Sequence, residues 1–551
     1  MESYRPNRRI EGPFDGSVSA KCLNGTFVGR ASEGVVSFRG IPFAVPPVGA
    51  LRWKEPVPVT ASDGVFEAVC NGPSPIQTKL DSERASFWEQ SEDCLYLNVW
   101  TAEGYAGQKR AVMVFIHGGS YGWGGTADPL YDGHSFVKAH PEIVLVTIAY
   151  RTGLAGFMDF SEVPGGEAYA QSGNLGLLDQ ICALRYIQGN IRSFGGDPSN
   201  VTVFGESAGG GSVSLLPLIP AARGLFSRVI AESGSVALTY SRKECLPLTR
   251  MLMKETGARR MEDLAALSPE EFRAVNEKLN QYNNFPERDG VVLPEDLYGA
   301  YERGEAAPVE MMIGTNADEL RYWILDLGGV RQYRLMSGVM LRNTLKQISR
   351  RDRKRVEAFL LIQPGTDPAD RPWKITELYN ELLFRLPAIR QGQAHAERGN
   401  PVYMYYWRYP SSLPDLLACH AVELAYIFNN LDETIYTGEG IDRKLAEEAQ
   451  KMWVNFALTG NPSTEEHPWE PYSVKARKTM VLDGEIFQKI NLHETGRRLL
   501  FPLLEYRFNG NYTAVTESAP KIAAIAAAAA AGAGLAGLLL WSLLKKGKDD
   551  G

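Results

Sequence analysis

Short apolar runs alternate along this chain with stretches in which apolar residues recur every three or four positions. The runs at 112–116, 143–148, 201–204, 228–231, 309–313 and 402–407 are rich in β-branched or aromatic residues and read as strands. Between two of them Leu177, Ile181, Leu184, Ile187 and Ile191 line one face of a helix, which Gly195 and Gly196 end. Leu445, Ala449, Met452, Trp453 and Phe456 mark a second helix, with Gly460 and Pro462 as stop signals. This alternation predicts an α/β fold, a central and mostly parallel sheet flanked by helices, whose chemistry gathers on loops leaving the strands. No internal repeat and no long linker interrupts the chain before about residue 510, so one large domain is expected.

Composition removes several function classes. The 58 basic and 65 acidic residues are mixed along the chain and leave a net charge of −7, so no basic stripe is expected and nucleic acid is a poor partner. Six cysteines include no C-x-x-C pair and no metal-like spacing; neither a metal centre nor a cofactor is expected. The N-terminus is polar, is broken by Pro6 and Pro13, and lacks the apolar stretch of a secretory signal. The folded part is therefore expected in the cytosol, with its thiols reduced.

The segment FGGDPSNVTVFGESAGG places a strand directly before Gly205-Glu206-Ser207-Ala208-Gly209 and a small-residue helical start after it. An isolated G-x-S-x-G describes many ordinary Gly-rich turns. Between a strand and a helix, however, it is the pattern of a sharp turn that exposes a serine hydroxyl near a helix N-terminus. Ser207 is the candidate nucleophile, with Glu206 beside it as a supporting residue.

Residues 194–209 resemble the serine signature of the type-B carboxylesterase and cholinesterase family, and Glu92-Asp93-Cys94-Leu95-Tyr96-Leu97-Asn98-Val99 resembles its second signature. FRGIPFAVPPVGALRW, Asn174-Leu175-Gly176-Leu177-Leu178-Asp179-Gln180 and Phe456-Ala457-Leu458-Thr459-Gly460-Asn461-Pro462 agree, and the likeness runs from about Gly25 to Phe508. The resemblance implies an α/β-hydrolase fold with large insertions, and a serine ester hydrolase that works through an acyl-enzyme on a small-molecule ester.

Serine needs a neutral imidazole to take its proton and a carboxylate to orient that imidazole. His420 follows the late strand and matches the family's histidine loop. Glu319 follows the strand at 309–313 and matches the family's acid, with Asp318 as the fallback. Leu320 stands where the family often has glycine. The order Ser207, Glu319, His420 is that of α/β-hydrolases. His395 and His467 sit in polar stretches and read as surface residues, as does His493 near the domain's end. His117-Gly118-Gly119-Ser120 supplies a loop for the oxyanion; by resemblance the donors are the amides of Gly119, Ser120 and Ala208, with Gly118 in support. Ser120 replaces the family's usual third glycine, and His117 reads as a loop-stabilising residue.

Choline-ester members hold the substrate cation on a tryptophan. Here that spacing falls near Arg84, with Trp88 four residues later, which disfavours a choline ester. Cys70 and Cys94 match the pair that closes this loop in secreted relatives; in a reducing compartment they are expected as free thiols. The rival from another class is a catalytically silent adhesion or binding protein, which the complete set of nucleophile, base, acid and Gly loop disfavours. A lipase or amidase with the same machinery stays open.

The expected organisation is an N-terminal segment (1–24), a hydrolase domain (25–510), a linker (511–521), a candidate transmembrane helix (522–544) and a basic tail (545–551). Residues 522–544 carry no charge and are followed by Lys545, Lys546 and Lys548. At about 1.5 Å per residue their length permits a membrane span. Trp541 near the lysines fits an interfacial anchor. A tail anchor with the enzyme in the cytosol is the expected arrangement; an Ala-rich soluble helix is the competing one.

Overall fold

The computed structural model describes residues 7–506 apart from 78–88, 280, 281, 283 and 366. The expected linker, apolar stretch and basic tail lie outside the described residues, as do Arg84 and Trp88. Among the described residues no helix is long and apolar enough to cross a membrane.

Eleven strands form the main sheet: β1 (Arg30–Ser32), β2 (Val35–Pro42), β3 (Tyr96–Ala102), β4 (Arg110–Ile116), β5 (Ile143–Ile148), β6 (Gly196–Glu206), β7 (Arg228–Glu232), β8 (Glu310–Asn316), β9 (Val402–Trp407), β10 (Lys478–Leu482) and β11 (Phe487–Ile490). Their spatial order is β11-β10-β9-β8-β7-β6-β4-β5-β3-β2-β1. From β10 to β5 every pairing is parallel. Both flanks are antiparallel.

The parallel centre is covered on both faces, which explains its continuous apolar runs: every residue of β5 and β9 is buried. Alternation within β4 divides the core in two. Val112, Val114 and Ile116 pack with Leu177, Ile181 and Leu184 of α1 (Leu175–Asn190). Ala111, Met113 and Phe115 face the opposite cluster, which holds Met452, Trp453 and Phe456 of a late helix. In chain order the other helices used below are α2 (Ala208–Leu215), α3 (Val330–Gln347), α4 (Arg350–Ile362), α5 (Arg371–Tyr379) and the late helix α6 (Arg443–Thr459).

The helix stops behave as expected at Gly195 and Gly460, both left-handed at φ 79°. Gly196, by contrast, opens β6, which is longer at both ends than the run at 201–204 suggests. The strand Ser19–Cys22 pairs with Gly25–Val28, so paired structure begins ahead of residue 25. All six cysteines are free thiols.

His395 departs from its sequence reading. It is buried, with Nε2 2.8 Å from the Val309 carbonyl oxygen, because the helix Leu386–Glu397 turns this position inward. His467 is half-buried, with Nδ1 2.9 Å from Glu448.

Candidate active site

β6 ends at Glu206 and α2 begins at Ala208, so the chain reverses direction at Ser207. That residue takes φ 56°, ψ −118°, a conformation L side chains rarely adopt and one held only by its surroundings. The Ser207 amide donates to the Glu232 carbonyl at 2.9 Å, and the Gly211 amide donates to the Ser207 carbonyl at 2.8 Å. A Cβ on Gly209 would sit 1.9 Å from the Ile116 carbonyl oxygen. The elbow is thus pressed backbone to backbone against the end of β4, which is the physical reason for the second glycine of G-x-S-x-G.

Glu319 and His420 reach this point from the ends of β8 and β9. Glu319 Oε2 lies 2.6 Å from His420 Nδ1. Its other oxygen accepts from Ser233 Oγ and from the Asn316 amide, each at 2.7 Å. A carboxylate only accepts, so Nδ1 carries the proton and the lone pair stays on Nε2. Nε2 makes no hydrogen bond and lies 3.1 Å from Glu206 Oε1, one residue from Ser207. Asp318 does something else. Its amide donates to the Ala418 carbonyl at 2.9 Å and its carboxylate faces Arg321 at 3.3 Å, tying the acid's loop to the histidine's. Leu320 is buried, and its amide donates to Asn380 Oδ1 at 2.9 Å.

The loop after β4 lies against the elbow: a Cβ on Gly118 would be 2.9 Å from Glu206 Oε2 and 3.1 Å from Ser207 Cβ. Gly119 (φ 103°) and Ser120 (φ 51°) are both left-handed, so Ser120 accepts the strain a third glycine would avoid. Among the described residues no backbone carbonyl accepts from the Gly119 amide, while that of Ala208 sits in the first turn of α2, where helical amides lack internal partners. His117 supports this loop. Its ring stacks on Tyr150 at 4.5 Å, Nδ1 is 2.8 Å from the Gly118 carbonyl oxygen, and burial lowers its pKa to about 4, so it is neutral at pH 7.

Two acids unmarked by the sequence reading complete the floor. Glu232, fully buried, ends β7 in register with Glu206 and accepts from Trp453 Nε1 at 2.5 Å. Glu423, three residues past His420, accepts from Asn316 Nδ2 at 2.5 Å. Burial raises Glu232 to about 7, the Trp453 hydrogen bond opposing it. Glu206 is held well above the ordinary carboxylate range by burial first, then by Glu319 and Glu232. Glu423 is raised likewise by burial, then by Glu206, Glu232 and Glu319. The available signal was positional: Glu232 closes its strand as Glu206 does. Aromatic rings surround the imidazole, Phe384 at 5.1 Å, Trp323 at 5.6 Å and Tyr322 at 5.7 Å. Among the described residues the grouping with metal-ligand spacing, Glu448, Glu466 and His467, includes none of these side chains.

A parallel sheet with a serine elbow after one central strand, and acid and histidine on the loops of the strands beyond it, defines an α/β-hydrolase. The family model described as the carboxylesterase family matches residues 16–496. The para-nitrobenzyl esterase of Bacillus subtilis (strain 168) is 35% identical over 509 residues, covering 87% of this chain and 97% of that protein. Liver carboxylesterase 1 of Oryctolagus cuniculus is 34% identical over 516 residues, 84% of this chain and 88% of its own. A solved carboxylesterase structure from Geobacillus stearothermophilus superposes with a TM-score of 0.78 at 32% identity, covering 88% of this chain and 99% of that one. This chain belongs to the carboxylesterase family and is a carboxylic-ester hydrolase.

Proposed function

We propose that the chain cleaves small-molecule esters through an acyl-enzyme on Ser207, with His420 as general base and Glu319 as orienting acid. The 2.6 Å contact between Glu319 Oε2 and His420 Nδ1, with Nε2 unbonded beside the elbow, carries this reading. Ser207 Oγ attacks the ester carbonyl carbon as its proton passes to Nε2. The amides of Gly119, Ser120 and Ala208 receive the oxyanion. Collapse breaks the bond to the alcohol oxygen, which leaves with the proton from Nε2. Water then attacks the acyl carbon, gives its proton to Nε2, and the acid departs as Ser207 regains a proton. The rings of Trp323, Phe384 and Tyr322 favour esters with an apolar group. A panel of chromogenic esters of increasing acyl length, run beside a simple amide and a choline ester, tests this. Faster cleavage of the amide or of the choline ester would replace the reading.

Also proposed is a tail anchor at residues 522–544, with the hydrolase domain on the cytoplasmic side. Its support is the uncharged stretch closed by Lys545, Lys546 and Lys548. Truncation after Lys521 is expected to release active soluble enzyme, while the intact chain sediments with membranes and resists high salt. Full-length protein wholly in the soluble fraction without detergent would refute the anchor alone.

A further inference from the structure

Charge is not spread evenly over this chain. Between residues 331 and 355 stand nine basic residues and one acidic residue, Asp352, in a protein whose net charge is −7. The even mixing expected from composition fails here, because a whole-chain sum averages away a run carried by two consecutive helices. Those helices are α3 and α4.

Each buries one face. Tyr333 and Thr344 of α3 hydrogen-bond Thr376 and Tyr379 of α5 at 2.7 and 2.6 Å, and Val356 and Phe359 of α4 are buried. What remains outside is a stripe of Arg331, Leu335, Arg342 and Lys346 on α3, and another of Arg350, Lys354, Glu357 and Leu361 on α4. Among the described residues none of these cations forms an ion pair; Asp352 is already paired with Arg355 at 3.3 Å. Leu335 is 68% exposed, Leu361 81% and Ile362 51%. A single exposed leucine needs no explanation, but three large apolar side chains within a predominantly basic field, with Glu357 the acid on the α4 stripe, form a pattern.

We propose that α3 and α4 form a docking face for an anionic lipid surface. Headgroup phosphates complement the cations, and the acyl boundary takes Leu335, Leu361 and Ile362. A nucleic acid would use the cations but leave these apolar side chains in water, so lipid is the occupant the pattern selects. The face is also joined to the chemistry. The turn Trp323–Asp326 leads through Gly328 and Gly329 into α3, and Trp323 stacks on His420 at 5.6 Å. Docking therefore brings the segment that covers the catalytic imidazole to the lipid phase, where apolar esters concentrate. The face is independent of the proposed tail anchor, since it responds to headgroup charge and salt and a spanning helix does not.

The test mixes the full chain with vesicles of phosphatidylcholine alone and of phosphatidylcholine with phosphatidylglycerol. At low salt at least about tenfold tighter binding to the anionic vesicles is expected, with the difference lost in about 0.5 M NaCl. The combined variant Arg342→Glu, Lys346→Glu, Arg350→Glu, Lys354→Glu is expected to lose the anionic preference while hydrolysing a water-soluble short-chain ester at the wild-type rate. Leu335→Ser with Leu361→Ser is expected to weaken anionic-vesicle binding several-fold; no change would remove lipid as the occupant. Equal binding to both vesicles by the chain truncated after Lys521, which lacks the proposed anchor, or an anionic preference that survives the charge reversals, overturns the proposal. Tighter capture by a short DNA duplex than by anionic vesicles overturns it as well, in favour of a nucleic-acid site.

Discussion

Oε1 of Glu206 lies 3.1 Å from Nε2 of His420, while Glu319 meets the other nitrogen of the same ring at 2.6 Å. Burial, then Glu319 and Glu232, hold Glu206 well above the ordinary carboxylate range, which favours its neutral form beside the imidazole. Glutamine has nearly the same shape and no charge. Glu206→Gln is therefore expected to keep kcat/KM within about tenfold of wild type at neutral pH, whereas Glu206→Lys should abolish turnover. A loss beyond about 100-fold in Glu206→Gln would mean that the site needs the ionised form.

Ser207→Ala should remove ester cleavage by about 1,000-fold or more and all fluorophosphonate labelling, in a protein that stays folded. Ser207→Gly adds a stability readout. At φ 56°, ψ −118° glycine is not strained, so its unfolding free energy should exceed that of Ser207→Ala by roughly 1 kcal/mol. Strong labelling at another serine in either variant would move the nucleophile elsewhere.

Glu319 and Asp318 are neighbours with different partners, and substitution separates them. Glu319→Gln places an amide against Nδ1 and loses control of the tautomer, with an expected fall in kcat of about 100-fold or more. Asp318→Asn should cost little in kcat and instead lower the melting temperature, since it loosens contacts to Ala418 and Arg321. The reverse pattern would make Asp318 the acid.

Glu232 links stability to pH. Its folded pKa is raised from 4.5 to about 7 by burial. Below 4.5 it is protonated in both states; between 4.5 and about 7 the unfolded chain gives up its proton first, so stability falls as pH rises, and above about 7 the full penalty applies. Glu232→Gln still accepts from Trp453 Nε1 and is expected to gain roughly 3 kcal/mol over wild type near pH 8 and nothing near pH 4. Urea unfolding at the two pH values measures this, and equal gains at both would show that the effect is not ionic.

The centre of the fold was legible because parallel strands covered on both faces have to be continuous apolar runs; the runs at 143–148 and 402–407 are β5 and β9 to the residue. Ser207, Glu319 and His420 stood out as candidates because each follows its own strand, and the structure brings Glu319 and His420 together at 2.6 Å. Glu232 and Glu423 stayed invisible, since the strand of Glu232 meets that of Glu206 only in the sheet and the loop of Glu423 meets Asn316 only in the fold. His395 was misread for a related reason. Its polar neighbours describe the helix's outer face, not the direction in which position 395 points. The charge run at 331–355 was hidden by averaging.

The approach of Gly209 to Ile116 divides the molecule mechanically. The elbow and the loop after β4 rest on adjacent strands held in register, so neither shifts without shearing the middle of the sheet. Phe384 and Trp323, in contrast, hang on helical segments that follow β8, outside that framework. Under the function proposed above, bond-breaking geometry and ester choice would thus sit on parts of different stiffness. On the proposed mechanism, exchanges at positions 323 and 384 retune which ester enters while Ser207, His420 and the proposed oxyanion donors keep their places, and that separation lets one frame be adapted to many esters.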